Sequence, residues 1–316
     1  MYSTNDNLLF ATEKIEHQLH NVQIYPAYER VEINDKFTKI IFRRDYTNGK
    51  EYKLLEKKSS KVNGKRIITK YSVSSDTGEN SIALNEFDRT VLAAIISEQK
   101  VGNLYTTINI IFRNLIGKVG KGEDGIKPHK NQFAAITNSI TKLMGKIIDF
   151  KNLAETLTEL GYVDSQADVK LKNSSILPAV LLDCNINGKF VEDVLYFDRE
   201  SPLLYIADKK NQIIRYPAEL LDVPNQNNTP LIIALKSYVM RRICETKLHK
   251  QMPPTITFDD VFKRCGIADA DKRKKFYARE VILKLFAHLK DKNFIDSFIQ
   301  IKQGVTAYSV KFSFDL

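Results

Sequence analysis

Residues 255–314 read TITFDDVFKRCGIADADKRKKFYAREVILKLFAHLKDKNFIDSFIQIKQGVTAYSVKFSF, and their apolar pattern decides the fold. Thr255-Ile256-Thr257-Phe258 is a short β-prone run. Asp259 to Cys265 predicts a short amphipathic helix closed by Gly266, and Ala270 to Asp291 a long helix. Phe294 to Lys302 and Ala307 to Phe314 alternate as strands do, with Gln303-Gly304-Val305-Thr306 between them. Strand, helix, tight turn, helix and two-stranded ribbon is the order of a winged helix-turn-helix.

Within the long helix, Ala278, Val281, Ile282, Leu285, Phe286 and Leu289 recur at helical spacing and stack as one core-facing stripe. About 180° away, at roughly 100° per residue, lie Arg273, Tyr277, Glu280 and Lys284. The first turn is Asp271-Lys272-Arg273-Lys274-Lys275. Cations at a helix N-terminus oppose the helix dipole, so stability alone gives no reason for four of them. A phosphate backbone would, because the second helix of a helix-turn-helix enters the major groove at its N-terminal end while neighbouring cations hold the backbone. A solvated lysine-rich helix is the other reading of the same residues.

Around this unit the chain has 316 residues, enough for two or three domains with cores of their own. At 43% hydrophobic and 27% charged, its composition is that of a soluble folded protein. No apolar run approaches the ~20 residues of a membrane span, and Met1-Tyr2-Ser3-Thr4-Asn5-Asp6 lacks the basic start of a signal peptide. The expectation is a cytoplasmic protein with no membrane partner. Cys184, Cys244 and Cys265 have neither metal spacing nor an even count, so they read as small buried hydrophobes. The net charge of +10 favours a polyanionic partner. That charge is concentrated: residues 226–316 hold 17 Lys+Arg against 9 Asp+Glu, and residues 36–70 hold 12 against 3.

From the N-terminus, Leu8 to Leu19 predicts a short helix, whose His17 and His20 have no third metal ligand and read as surface residues. Phe37 to Arg44, Tyr52 to Lys57 and Arg66 to Val73, with turns at Asn48-Gly49 and Asn63-Gly64, predict a basic β-meander. Lys57, Lys58, Lys61, Lys65 and Arg66 fit phosphate contacts and fit equally the protection of a sheet edge. At Asn85 the period becomes helical, with Phe87, Val91, Ala94 and Ile95 on one face. A second helix carries Ile108, Ile111, Phe112 and Leu115 and stops at Gly117. After the charged, glycine-rich stretch Lys118 to Lys127, a third carries Phe133, Ile136, Ile140, Leu143 and Met144, with Asn131, Asn138 and Lys142 facing the other way. Asparagine is a poor helix former. Two on an exposed face fit bidentate pairing with adenine, or a tolerated polar surface.

Lys146 to Phe150 then predicts a strand, so the order of elements repeats that of the C-terminal unit. Asn152 to Leu160 reads as helical, Asn173-Ser174-Ser175 as a loop, and Leu177 to Tyr196 as a hairpin turning at Asn187-Gly188. Leu203 to Ile206 and Gln212 to Tyr216 read as another hairpin, and these strands are expected to supply the first unit's wing and a bridging sheet. Pro224 to Pro230 is a polar linker, and Leu231 to Leu248 a long helix. The expected fold class is α+β: two winged helix-turn-helix domains in tandem with an additional N-terminal β-rich segment. The expected divisions are 1–80, 81–224 and 225–316.

Chemistry motifs are absent from the sequence. Gly117-Lys118-Val119-Gly120-Lys121-Gly122 lacks the ending that holds magnesium in a phosphate-binding loop. Asp198, Glu200, Asp259 and Asp260 sit at turns or helix starts, where capping explains them. No nucleophile has a signature around it. The expectation is binding rather than catalysis, with no cofactor and no metal.

The helix bearing Lys236-Ser237-Tyr238 and Arg241, the pair Cys265-Gly266 and the stretch Phe276-Tyr277-Ala278-Arg279 resemble, in order and spacing, the initiator proteins of theta-replicating plasmids. The resemblance runs from about Ser81 to Phe314, and the N-terminal meander and the long loop before the third helix depart from it. It implies a protein that binds direct repeats of an origin as a monomer, one recognition helix in each of two successive major grooves. It also implies recruitment of host replication proteins and self-repression as a homodimer. On that reading Lys272, Arg273, Lys274, Lys275, Tyr277, Arg279 and Lys284 are the main DNA contacts. Lys130, Asn131, Asn138 and Lys142 form a second set, and Lys302 and Thr306 meet phosphate near the wing tip. Glu280 would repel phosphate unless it accepts from a cytosine N4. The competing classes are a winged-helix transcription regulator without a replication role, bound to operator repeats, and a winged-helix module for protein contacts.

Overall fold

The computed structural model describes residues 26–34, 56–62, 65–75, 84–120, 122–151, 174–186, 189–209, 211–248, 252–304 and 306–314. The helix expected at Leu8 to Leu19 with its two histidines, the strand at Phe37 to Arg44, the three Asn-Gly turns and the segment Asn152 to Leu160 lie outside the described residues.

Glu29–Ile33 forms β1, Glu56–Val62 β2 and Lys65–Ser75 β3. The last two pair antiparallel outward from Val62 and Lys65, on either side of Asn63-Gly64. Helix α1, Glu86–Lys100, starts at a capping box. Asn85 Oδ1 accepts from the backbone N of Phe87 and Asp88 at 2.8 and 3.0 Å, and Asp88 Oδ2 accepts from Asn85 N at 2.9 Å. Val91, Ala94 and Ile95 are buried, as their spacing requires, but so are Glu86, Asp88, Thr90, Ser97 and Glu98. The helix is covered on all sides, which makes it the pillar of the molecule.

Tyr105–Thr107 is β4, and Ile108–Ile116 is α2, capped by Thr107 Oγ1 on Ile110 N at 3.2 Å. It ends at Gly117 with φ +82°, and a Cβ there would stand 2.6 Å from Asp222 N and 2.7 Å from Ala218 O. Only glycine meets both demands. Then follow α3 (Lys130–Met144), β5 (Lys146–Lys151), β6 (Ser174–Ser175), β7 (Ala179–Ile186), β8 (Lys189–Phe197), α4 (Pro202–Lys209) and β9 (Ile213–Pro217). The C-terminal part holds α5 (Pro230–Leu248), β10 (Thr255–Thr257), α6 (Phe258–Arg264), α7 (Lys272–Asp291), β11 (Ser297–Gln303) and β12 (Thr306–Ser313). The fold is α+β.

Two stretches share one topology. In the C-terminal one, α5, β10, α6 and α7 lead to a hairpin whose second strand lies in the middle of the sheet, order β10-β12-β11. In the first, α1, β4, α2 and α3 lead to the β7-β8 hairpin, order β4-β8-β7. The strand expected after Gly145 forms as β5 but joins a different sheet, β2-β3-β5-β6. The hairpin expected to supply the first wing, at Leu177 to Tyr196, takes that place as β7 and β8. Ser174 and Ser175, read as loop, form the two-residue strand β6 against Ile148 and Ile147.

One strand expectation is corrected outright. Leu203 to Ile206 is helix, because Pro202 fits a first helical position and Leu203, Leu204 and Ala207 bury one face. Its expected hairpin partner, β9, pairs instead with β1, from Glu29 opposite Pro217 to Ile33 opposite Ile213. A short apolar run does not distinguish strand from helix, and no local signal names a partner about 180 residues away.

The two cores meet at this strand pair. Val31 and Ile33 of β1 pack with Val91, Ile95 and Ile111, whereas Ile214 and Tyr216 of β9 pack with Val239 and Ile282 of the C-terminal core. Arg30 and Glu32 are buried as well. Glu32 Oε1 accepts from Tyr216 Oη at 2.6 Å and Ser237 Oγ at 2.7 Å, and Arg241 Nη1 stands 3.1 Å from Glu32 Oε2. Arg241 Nη2 reaches Glu86 Oε1 at 2.6 Å. Burial alone would raise the Glu32 pKa, but Arg241, Arg30 and the two hydroxyl donors outweigh it and hold the carboxylate below its usual value.

Candidate nucleic-acid interface

Helix α7 starts at Asp271, whose Oδ1 accepts from Lys274 N at 2.7 Å. That carboxylate lies where the helix dipole wants it and offsets the cations that follow. Lys272, Arg273 and Lys274 are exposed and Lys275 is half-buried. Among the described residues none of these four forms an ion pair. Ala278, Val281, Ile282, Leu285, Phe286 and Leu289 are all buried, so the apolar stripe orients the helix. Phe286 packs its ring 5.5 Å from Phe298 and 5.7 Å from Phe312, clamping α7 to the sheet. Arg273, Tyr277, Glu280 and Lys284 are left on the open side, Tyr277 at 46% exposure.

Arg279 lies elsewhere. Its guanidinium sits 5.1 Å above the Phe262 ring and 5.7 Å above the Phe258 ring, and its Nε is buried without a hydrogen-bond partner. It braces α7 against α6 through cation–π contact. On the β11-β12 hairpin, Lys302 is exposed, and Gly304, at φ +64°, begins the turn to β12. Thr306 pairs through its backbone with Gln303, and its side chain lies outside the described residues. Ile299 is 60% exposed on the same ribbon, and Phe276 is 61% exposed beside Tyr277. Neither is singled out as a contact by the sequence, although Phe276 stands off the buried stripe and Ile299 lies on the edge strand β11, opposite Lys311.

In the first unit, α3 buries Ile136, Ser139, Ile140 and Leu143 and exposes Lys130, Asn131, Ala134, Asn138 and Thr141. Lys142 does not share that open face. It is half-buried, with Nζ 3.4 Å from both oxygens of buried Asp88, whose Oδ1 also accepts from Ser139 Oγ at 2.5 Å. The structure thus gathers Asn131 and Asn138 on one face and turns Lys142 back on α1.

Lys236, Ser237, Tyr238 and Arg241, which carry the sequence resemblance, are buried. Lys236 Nζ donates to Leu221 O at 2.6 Å and Asn228 Oδ1 at 3.1 Å, and burial brings its pKa down to about 8. These residues hold the chain together and present no open face. Cys244 is buried and Cys265 partly so, and burial pushes both thiols up, which makes them inert. Among the described residues no cluster of three or more His, Cys, Asp or Glu stands ready for a metal ion, and no helix is long and apolar enough to cross a membrane.

No protein-family model matches the chain. No curated protein matches it either. Among solved structures it is similar to a selenomethionine crystal structure of domains 2 and 3 of RctB, at 12% identity and a TM-score of 0.41, over 92% of this chain and 100% of that one. A likeness at that level says nothing about what this chain binds.

Proposed function

We propose that the protein is a sequence-specific double-stranded DNA-binding protein built from two winged helix-turn-helix units, and that it serves as a plasmid or mobile-element replication initiator at origin repeats. The observation that carries the DNA reading is the first turn of α7: three exposed cations and a half-buried fourth, without carboxylate partners among the described residues, at the open end of a helix fixed by its apolar stripe. The repeated topology supports a second recognition helix, α3, with Asn131 and Asn138 on its open face. Two units on one duplex bind as a tethered pair, so the second docking is effectively intramolecular. The replication role rests on the resemblance to theta-plasmid initiators. A transcription regulator at operator repeats would use the same surfaces. The exposed Ile299 and Ile301 on β11 favour a protein partner at the wing, in keeping with host replication proteins.

The test is binding of the intact chain to the DNA flanking its own gene at about 50 and 200 mM salt, where contacts to roughly 6 to 10 phosphates weaken binding about 10³- to 10⁵-fold. The quadruple alanine variant of Lys272, Arg273, Lys274 and Lys275 should lose that binding. Equal binding by the variant would retire α7 as a DNA reader. Maintenance of a plasmid carrying the flanking DNA then separates an initiator from a regulator that only represses a reporter.

A further inference from the structure

The two units are joined by more than a tether. Arg241 of α5 spans two carboxylates, Glu86 of α1 at 2.6 Å and Glu32 of β1 at 3.1 Å, all three buried. β1 is itself fixed to both units. It pairs with β9, Arg30 Nη1 donates to Asn114 Oδ1 of α2 at 2.6 Å, and Arg89 Nη2 of α1 donates to Ile33 O at 2.6 Å. The linker is held from both sides. Gln132 Nε2, in the first turn of α3, donates to Asn228 O at 2.7 Å, and Gln226 Nε2 donates to Val281 O of α7 at 3.1 Å. Lys118 Nζ adds an ion pair to Asp222 at 2.6 Å. The helices that carry the two open faces are therefore both bonded to one short stretch of chain.

We infer that Arg241 is a positioning residue: with Glu32, Glu86 and the splinted linker it holds α3 and α7 at a single separation, so that both units engage only duplex DNA presenting its two groove segments at that one spacing. This rests on the DNA-binding reading above. A flexible tether would follow a groove displaced by one or two base pairs at little cost, because effective concentration falls slowly while the linker can still reach; the seven residues from Pro224 to Pro230 span at most about 25 Å when extended, less than a full turn. A rigid body cannot. One inserted base pair moves the second groove by about 3.4 Å and turns it by about 35°, and a full inserted turn restores the face but not the distance. Lysine cannot replace Arg241 here, since one ammonium does not reach two carboxylates in the forked geometry of a guanidinium.

The experiment uses the full chain and a duplex selected by it from a random-sequence pool, with the two contacted segments mapped by hydroxyl-radical footprinting. Insertions of one and two base pairs are placed between the segments. The wild type should lose about 10²-fold in affinity or more with either insertion, the gain that tethered docking gives. Arg241→Lys should bind the uninterrupted site more weakly and should shrink the ratio between the uninterrupted and one-base-pair sites several-fold, the remaining bonds between the units keeping it above one. Glu86→Gln, which keeps an acceptor for Arg241, should fall between them, and circular dichroism checks that each variant is folded. A mere loss of stability would weaken both sites alike and leave the ratio unchanged. Wild-type tolerance of the one-base-pair insertion, or a wild-type ratio in both folded variants, would overturn the inference while leaving DNA binding intact. If no duplex is selected at all, the DNA reading fails and takes the inference with it.

Discussion

Helix α3 opens with a single exposed cation, Lys130, and continues through the uncharged Asn131, Ala134, Asn138 and Thr141, whereas α7 opens with Lys272, Arg273 and Lys274 and continues through Tyr277, Glu280 and Lys284. The two helices occupy the same place in the same topology. What differs is where the cations of each unit are engaged. In the first, Lys142 is committed to Asp88, Arg113 to Asp124 and Lys118 to Asp222. In the second, the cations of the leading turn stand unpaired among the described residues. Coulombic attraction to phosphate is long-ranged and blind to sequence, and base-edge contact is short-ranged and selective. Under the proposed DNA reading, the contrast gives capture of the duplex to the second unit and discrimination between sequences to the first.

The largest expected effect breaks or confirms that division. Removing the four cations Lys272, Arg273, Lys274 and Lys275 should lower the slope of log affinity against log salt by about 3 to 4, since each phosphate contact contributes about 0.9. Lys130→Ala and Lys142→Ala together should lower it by about one at most, because Lys142 is already paired with Asp88. Equal losses from the two sets, measured by anisotropy titrations across a salt series, would abolish the distinction.

The second effect reads one buried titrating group in each unit. Glu98 of α1 accepts from Ala27 N at 2.9 Å and Asn103 Nδ2 at 2.7 Å, and burial raises its pKa from 4.5 to about 7. The folded state thus binds the extra proton, and the stability it contributes is complete below about pH 4.5 and lost as the pH rises to about 7. Lys236 of α5 has the opposite sign. Its folded pKa, lowered from 10.5 to about 8, favours the neutral amine, so stability is gained between about pH 8 and 10.5 and is absent below. Each span corresponds to something on the order of 3 kcal/mol. Urea unfolding across pH should show the first slope vanish in Glu98→Gln and the second in Lys236→Met. A slope that survives its own substitution would assign the titration to another group.

Elements were legible in the sequence wherever their signals are local. The stripe from Ala278 to Leu289, the Asn85 cap and the Gly117 stop all depend on residues within a turn or two, and all form where expected. Partnership was not legible. That β5 lies beside β3, or that Glu32 meets Arg241, depends on chain separated by tens to hundreds of residues. Nor does charge give warning of burial: Lys236 and Arg241 are buried against acceptors that no local signal names. For Lys142 and Arg279, helical spacing fixes where the side chain leaves the helix, but long stems carry the charged end back to the protein. Phe262 and Asp88 decided those two positions.

The third effect isolates base discrimination. Asn138→Ala should cost about 1 to 3 kcal/mol of selectivity at one base pair beneath the first unit, the worth of a bidentate contact to adenine, with the salt slope unchanged. Selection from a random pool by wild type and variant shows it as relaxed preference at a single position. Unchanged preference would leave Asn138 as a solvated side chain and move specificity to α7.

Arg279 carries the smallest effect, and it decides whether the cationic surface of the second unit is continuous. Its guanidinium lies over Phe258 and Phe262, so its charge is already engaged between α6 and α7. A cation–π contact of this kind contributes about 1 kcal/mol. Arg279→Leu keeps apolar cover over both rings and removes the cation. Stability should fall by about that amount, and the salt slope should stay within experimental error if Arg279 is only a brace. If Arg279 also reaches phosphate, the slope should drop by about one, the same step as Lys284→Ala, whose side chain is exposed on the open face. Running the two variants side by side therefore calibrates the answer: a drop for Lys284 alone confines the phosphate surface to the outer edge of α7, and equal drops extend it inward across the seam with α6.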